Sequence, residues 1–371
     1  MPVPPPPTAA QLRALFDAPA PLTVGLEEEA MVLDAGTLDL APRAPELLAA
    51  APPGAPLTLE MPAAQIEVVT PPAASVPEAV ATLAQGRRAL AAAAAPLGLK
   101  VACAAVHPFA AGEGPLNQGE RYTPIAAEYQ FAARRQLLFS LQVHVCVRGA
   151  DRALAVHNAL RSYLPDVAAL AAAAPYYEGR DTGLASVRPL LAALLPRQGV
   201  PPALDSWEAL ADGLAWARDA GAWWWELRPH RLHGTLEVRV PDVQPTLADA
   251  GAVAAVVHAL VAWLAARHDA GERLPVADTW RIEQNRWSAL RHGVAGTMTD
   301  LETGEVRPTA DRLAALLANL APTAARLGCA PELDAAGRLL AAGGGAAKLR
   351  ALGPDLHAVV EALTERFLEG G

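Results

Sequence analysis

The chain has 371 residues, 52% of them hydrophobic and 19% charged, which supports a sizeable core and excludes intrinsic disorder. Its 30 Lys and Arg against 39 Asp and Glu leave a formal charge of −9, which argues against the basic face of a general nucleic-acid binder. Cys103, Cys146 and Cys329 are far apart with no CxxC, which rules out a disulfide framework, argues against a structural zinc site and fits a reducing cytoplasm.

The N-terminus, MPVPPPPTAA, has no basic stretch followed by an apolar one, so it reads as a flexible Pro-rich tail over residues 1–8 rather than a signal peptide. A short helix is expected over 9–18, a strand over 22–33, and one or two strands over 57–70 with a break near Pro62. Ser75-Val-Pro-Glu78 has the spacing of a capping box and opens an Ala-rich helix to about residue 95. Strands are expected over 99–106 and 136–148, a helix over 151–174 broken at Pro165, and a strictly alternating strand over 233–240. Residues 297–307 read as a hairpin turning at Thr303-Gly304. The C-terminal third reads as helices over 246–268, 276–290, 309–327, 331–341 and 354–369. The stretch 250–266 is at the lower edge of membrane-spanning length and carries His258, so it reads as a buried core helix and no membrane association is expected. Strands that precede a helical third, with long connections, give an α+β class: one catalytic domain over 9–371.

Four segments carry chemistry. In Gly25-Leu26-Glu27-Glu28-Glu29 a strand puts Glu27 and Glu29 on one face, where two carboxylates repel unless a cation lies between them; a solvated edge strand is the other reading. Glu28 then points oppositely, to solvent or a salt partner. Glu67 sits in the apolar run Ile66-Glu67-Val68-Val69, where a carboxylate is either outward-facing or paired with metal. His144 shares a face with Gln142 and Cys146, as a core histidine or a metal ligand. Glu237 and Arg239 share a face of Leu236–Val240, and a same-face ion pair is the plain reading there. If these strands form one antiparallel sheet, they build an acidic basin with arginine at its rim. Such oxygen clusters select hard cations such as Mg²⁺ or Mn²⁺, and Mg²⁺ is usually shared with nucleotide phosphates. No GxxxxGK[ST] is present, and Gly343-Gly344-Gly345 reads as a helix-end loop.

At this point the residues carry a likeness. Val24–Glu29, Gln65–Pro71, Arg134-Arg135 before Gln142–Val145, Tyr163-Leu164-Pro165, Tyr177–Pro189, Leu236–Arg239, and Glu283, Asn285 and Arg286 with Arg291-His292-Gly293 occur in family order. Together they resemble the bacterial carboxylate–amine ligase family related to glutamate–cysteine ligase. That resemblance implies a glutamine-synthetase-like fold, a curved, mainly antiparallel sheet cupping the active site beneath helices. It implies ATP-dependent ligation of the glutamate γ-carboxylate to a small amine, typically that of cysteine. It implies a site for ATP and Mg²⁺ (or Mn²⁺), and a cytoplasmic homodimer. Glu27, Glu29, Glu67, His144 and Glu237 fall on the family's metal positions, with Glu60 beside them, and Arg239 falls on a phosphate-contacting one. The chain has Ala30, Ser140, Gln142 and Cys146 where the family often has an aromatic, Gly, His and Gly.

Arg188, after the polar loop Asp181-Thr182-Gly183, suits bidentate binding of a carboxylate or phosphate. Arg134 and Arg135 are helix-end charges or anion contacts, and Asn285 and Arg286 join them as candidate substrate or nucleotide contacts. Glu67 and Arg239 are the expected catalytic pair. Trp223-Trp224-Trp225 reads as core or pocket wall, and His230 and His233 lack a strict metal spacing. The glycine-bearing segment 108–125 is the candidate for a loop that excludes water. Guanidino-kinase-like phosphoryl transfer, metal-dependent hydrolysis and non-catalytic nucleotide binding are the alternatives.

Overall fold

A computed structural model describes residues 6–18, 21–217 and 223–370. The first five residues of the expected tail lie outside the described ones. Thr8 caps α1 (Ala9–Asp17) through a reciprocal bond with Gln11.

The main sheet takes seven strands: β1 (Val24–Asp34), β2 (Leu57–Leu59), β3 (Gln65–Val69), β4 (Leu99–Ala102), β5 (Leu141–Cys146) and, beyond the small hairpin of β6 (Tyr176–Tyr177) and β7 (Arg180–Asp181), β8 (Leu227–Pro229) and β9 (Thr235–Val238). Their order is β2-β3-β1-β5-β9-β8, with β4 pairing the far end of β1, and every pairing is antiparallel. The expected α+β class and antiparallel sheet are therefore observed. β10 (Thr297–Thr299) and β11 (Val306–Pro308) form the expected C-terminal hairpin.

Alternation decides the layers. Leu26, Ala30, Ile66, Val68, Leu141, Val143, Val145, Leu236 and Val238 are buried on one face, against α3 (Val76–Ala94), α5 (Ala150–Leu160) and α9 (Leu247–Asp269). α9 is the expected core helix. It is long and apolar enough to cross a membrane, but 78% of its apolar window is buried inside the protein. α3 lies close on the sheet because Gly86 has no Cβ; one added there would stand 2.3 Å from a Val68 methyl.

Next to Gly86, Arg87 answers the question left open by Glu28. Glu28 points into the apolar face, not to solvent, and is fully buried with Arg87 in a bidentate pair at 2.6 and 2.7 Å. Arg87 also donates to the carbonyls of Gln244, Pro245 and Phe367.

Several boundaries differ from the expectation for local reasons. Ser75 occupies the N-cap of α3 without a side-chain bond, while Glu78 reaches back to the amide of Ala74. The helix after residue 150 breaks at Arg161–Tyr163, and Pro165 sits in the first turn of α6 (Leu164–Ala171), where its missing N–H costs nothing. β5 starts at Leu141 because the Ser140 amide turns to the Glu29 carboxylate instead of a neighbouring strand. The Gly343–Gly345 run is not only a loop. Gly343 (φ 83°) starts the short helix Gly344–Arg350, and Gly345 packs on Ala172 and Ala173. Helices Ala44–Ala50, Thr123–Arg134 and Trp207–Trp216 were not expected from periodicity.

Candidate active site

The other face of the sheet is polar. Antiparallel register sets Glu29 opposite Glu67, Glu27 opposite Gln142, His144 opposite Glu237 and Arg228 opposite Glu237. Four neighbouring strands thus bring Glu67, Glu27, Glu29, His144, Glu237 and Arg239 to one surface. Glu60, just past β2, joins its rim: it lines the same cavity as Glu29 and Arg239. Its carboxylate is held by Arg121 at 3.0 Å and by the amide of Met61. The backbone of Pro115–Asn117 is bonded to Met61 and Ala63, and the Asn117 amide donates to the Glu60 carbonyl at 2.6 Å. Part of the 108–125 segment is therefore tied down beside Glu60.

Glu27, His144 and Glu237 place ligand atoms within 4.8 Å of one another. The His144 ring is oriented by Thr235, whose hydroxyl lies 3.0 Å from Nδ1. Its Nε2 lies 3.2 Å from the Glu27 carboxylate but without hydrogen-bond alignment, and no described residue bonds it. A buried imidazole nitrogen facing two carboxylates fits a divalent cation, and an oxygen-rich donor set suits Mg²⁺ or Mn²⁺.

The titrations show how much negative charge the basin holds. Burial, and then Glu60, push Glu29 up to about 7, against the bonds it accepts from Ser140. Burial and the carboxylates of Glu60, Glu27 and Glu29 raise Glu67 well above the usual range. Glu27 stays below it because His144 outweighs its burial. Glu237 is held well below it, despite complete burial, by Arg228, Arg239 and His144. His144 is raised by Glu237 and Glu27 against its own burial.

Arg239 makes the plain ion pair with Glu237, but not on an exposed sheet. Its guanidinium bonds both Glu237 and Gln142 within the basin, and Gln142 in turn donates to Glu29 at 3.2 Å. Arg228, which the sequence did not single out, forks onto Glu237 at 2.6 and 3.0 Å. It was missed because β8 is three residues long and ends in proline. His230 and His233 stack at 4.2 Å and stand 5.4 and 6.0 Å from the His144 ring, and His230 Nε2 comes within 4.0 Å of Glu237. Burial pushes His230 down to about 3.

The remaining candidates bond none of the carboxylates of Glu27, Glu29, Glu60, Glu67 and Glu237. Arg188 lines the cavity beside Glu29 and Arg239, with its Nε on Asp242 at 2.8 Å and one Nη on the Val240 carbonyl. Arg134 pairs with Glu113 near the surface, and Arg135 with Glu178 and Tyr177. Asn285 clamps the backbone of Thr299 through both its amide atoms. Arg286 forks onto one oxygen of Glu226, a cavity residue that the sequence did not flag. Trp224 lines the cavity wall, as one reading of the tryptophan run expected.

Residues 23–362 match the sequence profile of glutamate–cysteine ligase family 2. A protein of Thermobifida fusca provisionally named glutamate–cysteine ligase 2 is 36% identical over 364 residues, covering 94% of this chain and 91% of its own. One of Rubrobacter xylanophilus, provisionally named glutamate–cysteine ligase 2-3, is 37% identical over 365 residues, covering 94% and 98%. Among solved structures, glutamate–cysteine ligase of Francisella tularensis in complex with AMP superposes with a TM-score of 0.67 at 12% identity, over 95% of this chain and 90% of that one.

Proposed function

This chain belongs to glutamate–cysteine ligase family 2, a family of ATP-dependent ligases that form C–N bonds, and from that premise we propose that it joins the γ-carboxylate of glutamate to the amine of cysteine or another small amine through an acyl phosphate. The observation that carries this reading is the polar face itself: carboxylates, one imidazole and an arginine converge on one surface from four adjacent strands. Phosphoryl transfer asks for that environment, since it depends on positioning and charge stabilisation more than on covalent help from the protein.

In the first step a carboxylate oxygen attacks the γ-phosphorus of ATP and the bond to ADP breaks. In the second the amine attacks the acyl carbon, phosphate leaves, and the nitrogen loses a proton. Glu27, His144 and Glu237 would hold a divalent cation, Mg²⁺ or Mn²⁺, with Glu29, Glu60 and Glu67 alongside. When bound, it supplies charge neutralisation for the phosphates. Arg239, oriented by Gln142 and Glu237, stabilises charge on the transferring phosphoryl group. Gln142 and Ser140 orient Glu29. The segment around residues 108–125 shields the acyl phosphate from water, and Arg188 is positioned to meet a carboxylate.

Phosphate release from ATP tests this reading. It should require an acid and an amine together and should yield a γ-glutamyl amide detectable by mass spectrometry. ADP formation with a phosphorylated acceptor, and with neither free phosphate nor amide, would favour a kinase, and amide or ester cleavage without ATP would favour a hydrolase. We also propose a homodimer, which a concentration-independent monomer mass in light scattering would exclude.

A further inference from the structure

Beside the acidic face lies a cavity of about 120 Å³, lined by Glu29, Gln65, Arg188, Trp224, Glu226 and Arg239 among others. Two of these side chains are almost completely enclosed and incompletely bonded. Glu226 is 5% exposed and Gln65 is 2% exposed. Both bonds that Glu226 accepts from Arg286, at 2.8 and 2.6 Å, go to its Oε1. Its Oε2 meets no donor among the described residues, and neither does the Oε1 of Gln65.

The frame around Glu226 is rigid. Its amide donates to the Gly199 carbonyl at 3.0 Å, and its own carbonyl accepts from the Arg239 amide at 2.8 Å. The orphaned oxygen is therefore not a mobile surface atom that water would serve at no cost. Buried acceptors without a donor are uncommon and destabilising, so two in one cavity call for a donor from outside. The charge count agrees. Arg286 is shared between Glu226 and Glu283, two carboxylates on one guanidinium, which leaves a negative charge over.

The opposite requirement is present in the same space. Arg188 uses its Nε on Asp242 and one Nη on backbone carbonyls, and its other Nη bonds no described residue. Arg239 adds a second guanidinium. An α-amino acid carries a cationic donor and an anionic acceptor close together and meets both requirements.

We propose that Glu226 and Gln65 form an ammonium-binding subsite, so that this cavity reads the α-ammonium group of an amino-acid substrate while Arg188 faces its carboxylate. The proposal deepens the ligase reading and rests on it for the identity of the site, but its test needs no turnover. Calorimetric titration compares two amino acids with their des-amino analogues: L-glutamate with glutarate, and L-cysteine with 3-mercaptopropionate.

For at least one pair the amino acid should bind about 10- to 150-fold tighter, the range given by a hydrogen bond to a charged group. Glu226→Gln keeps an acceptor for Arg286 and should bring that ratio to within about two-fold. Gln65→Met leaves the Arg286 bonds untouched and should lower the ratio in the same direction, which guards against a folding defect in the first variant. Equal binding of both members of each pair by the wild type, or an amino-acid preference that survives in a folded Glu226→Gln, overturns the subsite. Phosphate release measured on the same preparations separates the two ideas. Its absence with every acid and amine sinks the ligase reading and leaves an observed ammonium preference standing.

Discussion

Glu29 and Glu67 occupy opposed positions on β1 and β3, and no arginine or lysine among the described residues is hydrogen-bonded to either carboxylate. Ser140 and Gln142 hold Glu29, whereas burial and three neighbouring acids drive Glu67 towards its neutral form. Such an arrangement costs stability, and buried acids perturbed in this way cluster at functional sites.

Replacing Glu67 by Gln therefore has opposite effects on two measurements. The fold should be kept and the melting temperature unchanged or raised, because a repelling buried acid is removed. ATP-dependent turnover should fall at least about 100-fold, the scale of one electrostatic contributor. Wild-type turnover in this variant would make Glu67 a structural strand residue.

Arg239→Lys keeps the charge but replaces a planar guanidinium, one Nη of which bonds both Gln142 and Glu237, by an ammonium that cannot meet phosphate oxygens as a fork. Turnover should drop by about two orders of magnitude. The melting temperature should fall only modestly, because Arg228 still neutralises Glu237. A near-normal rate would leave Arg239 as an ion-pair partner alone.

Chelation is the third test. Excess EDTA should abolish turnover and added Mg²⁺ should restore it, given the ligand atoms of Glu27, His144 and Glu237 within 4.8 Å of one another. Undiminished activity in EDTA would remove the cation from the reading.

Stability should also depend on pH through three histidines outside the site. His107, His157 and His258 are each pushed down to about 4, chiefly by burial. Their folded pKa values lie below those of the unfolded chain, near 6.5, so the unfolded state binds more protons between those limits. Stability is then fully present above about pH 6.5 and is lost as pH falls towards 4, by up to about 1.4 kcal/mol per pH unit for each histidine. Thermal unfolding followed from pH 7 to pH 4 checks this, and a melting temperature flat across that window would contradict it.

Much of the site was legible because a strand writes its faces into the sequence with a period of two. Glu27 and Glu29, or His144 against Val143 and Val145, need only alternation to be placed on one surface. Which strands lie side by side does not follow from that pattern; only the resemblance suggested it. Arg228 escaped notice because its strand is too short to alternate. Arg87 and Glu226 escaped because their roles come from partners distant in sequence: Glu28 is 59 residues from Arg87, and Arg286 is 60 from Glu226. The capping box at Ser75 shows the reverse error, a correct local spacing whose hydroxyl bond is not made.

Arg87 also sets an order of assembly. The rear of β1 carries Glu28, and the guanidinium that neutralises it is completed by the carbonyl of Phe367, 280 residues further along the chain. During synthesis the strand bearing Glu27 and Glu29 leaves the ribosome early, but the last bond behind it waits for residue 367. Until then the charge behind that strand is only partly enclosed. Trimming the chain before Phe367 would therefore loosen the strand that carries Glu27 and Glu29, although the cut lies on the far side of the sheet.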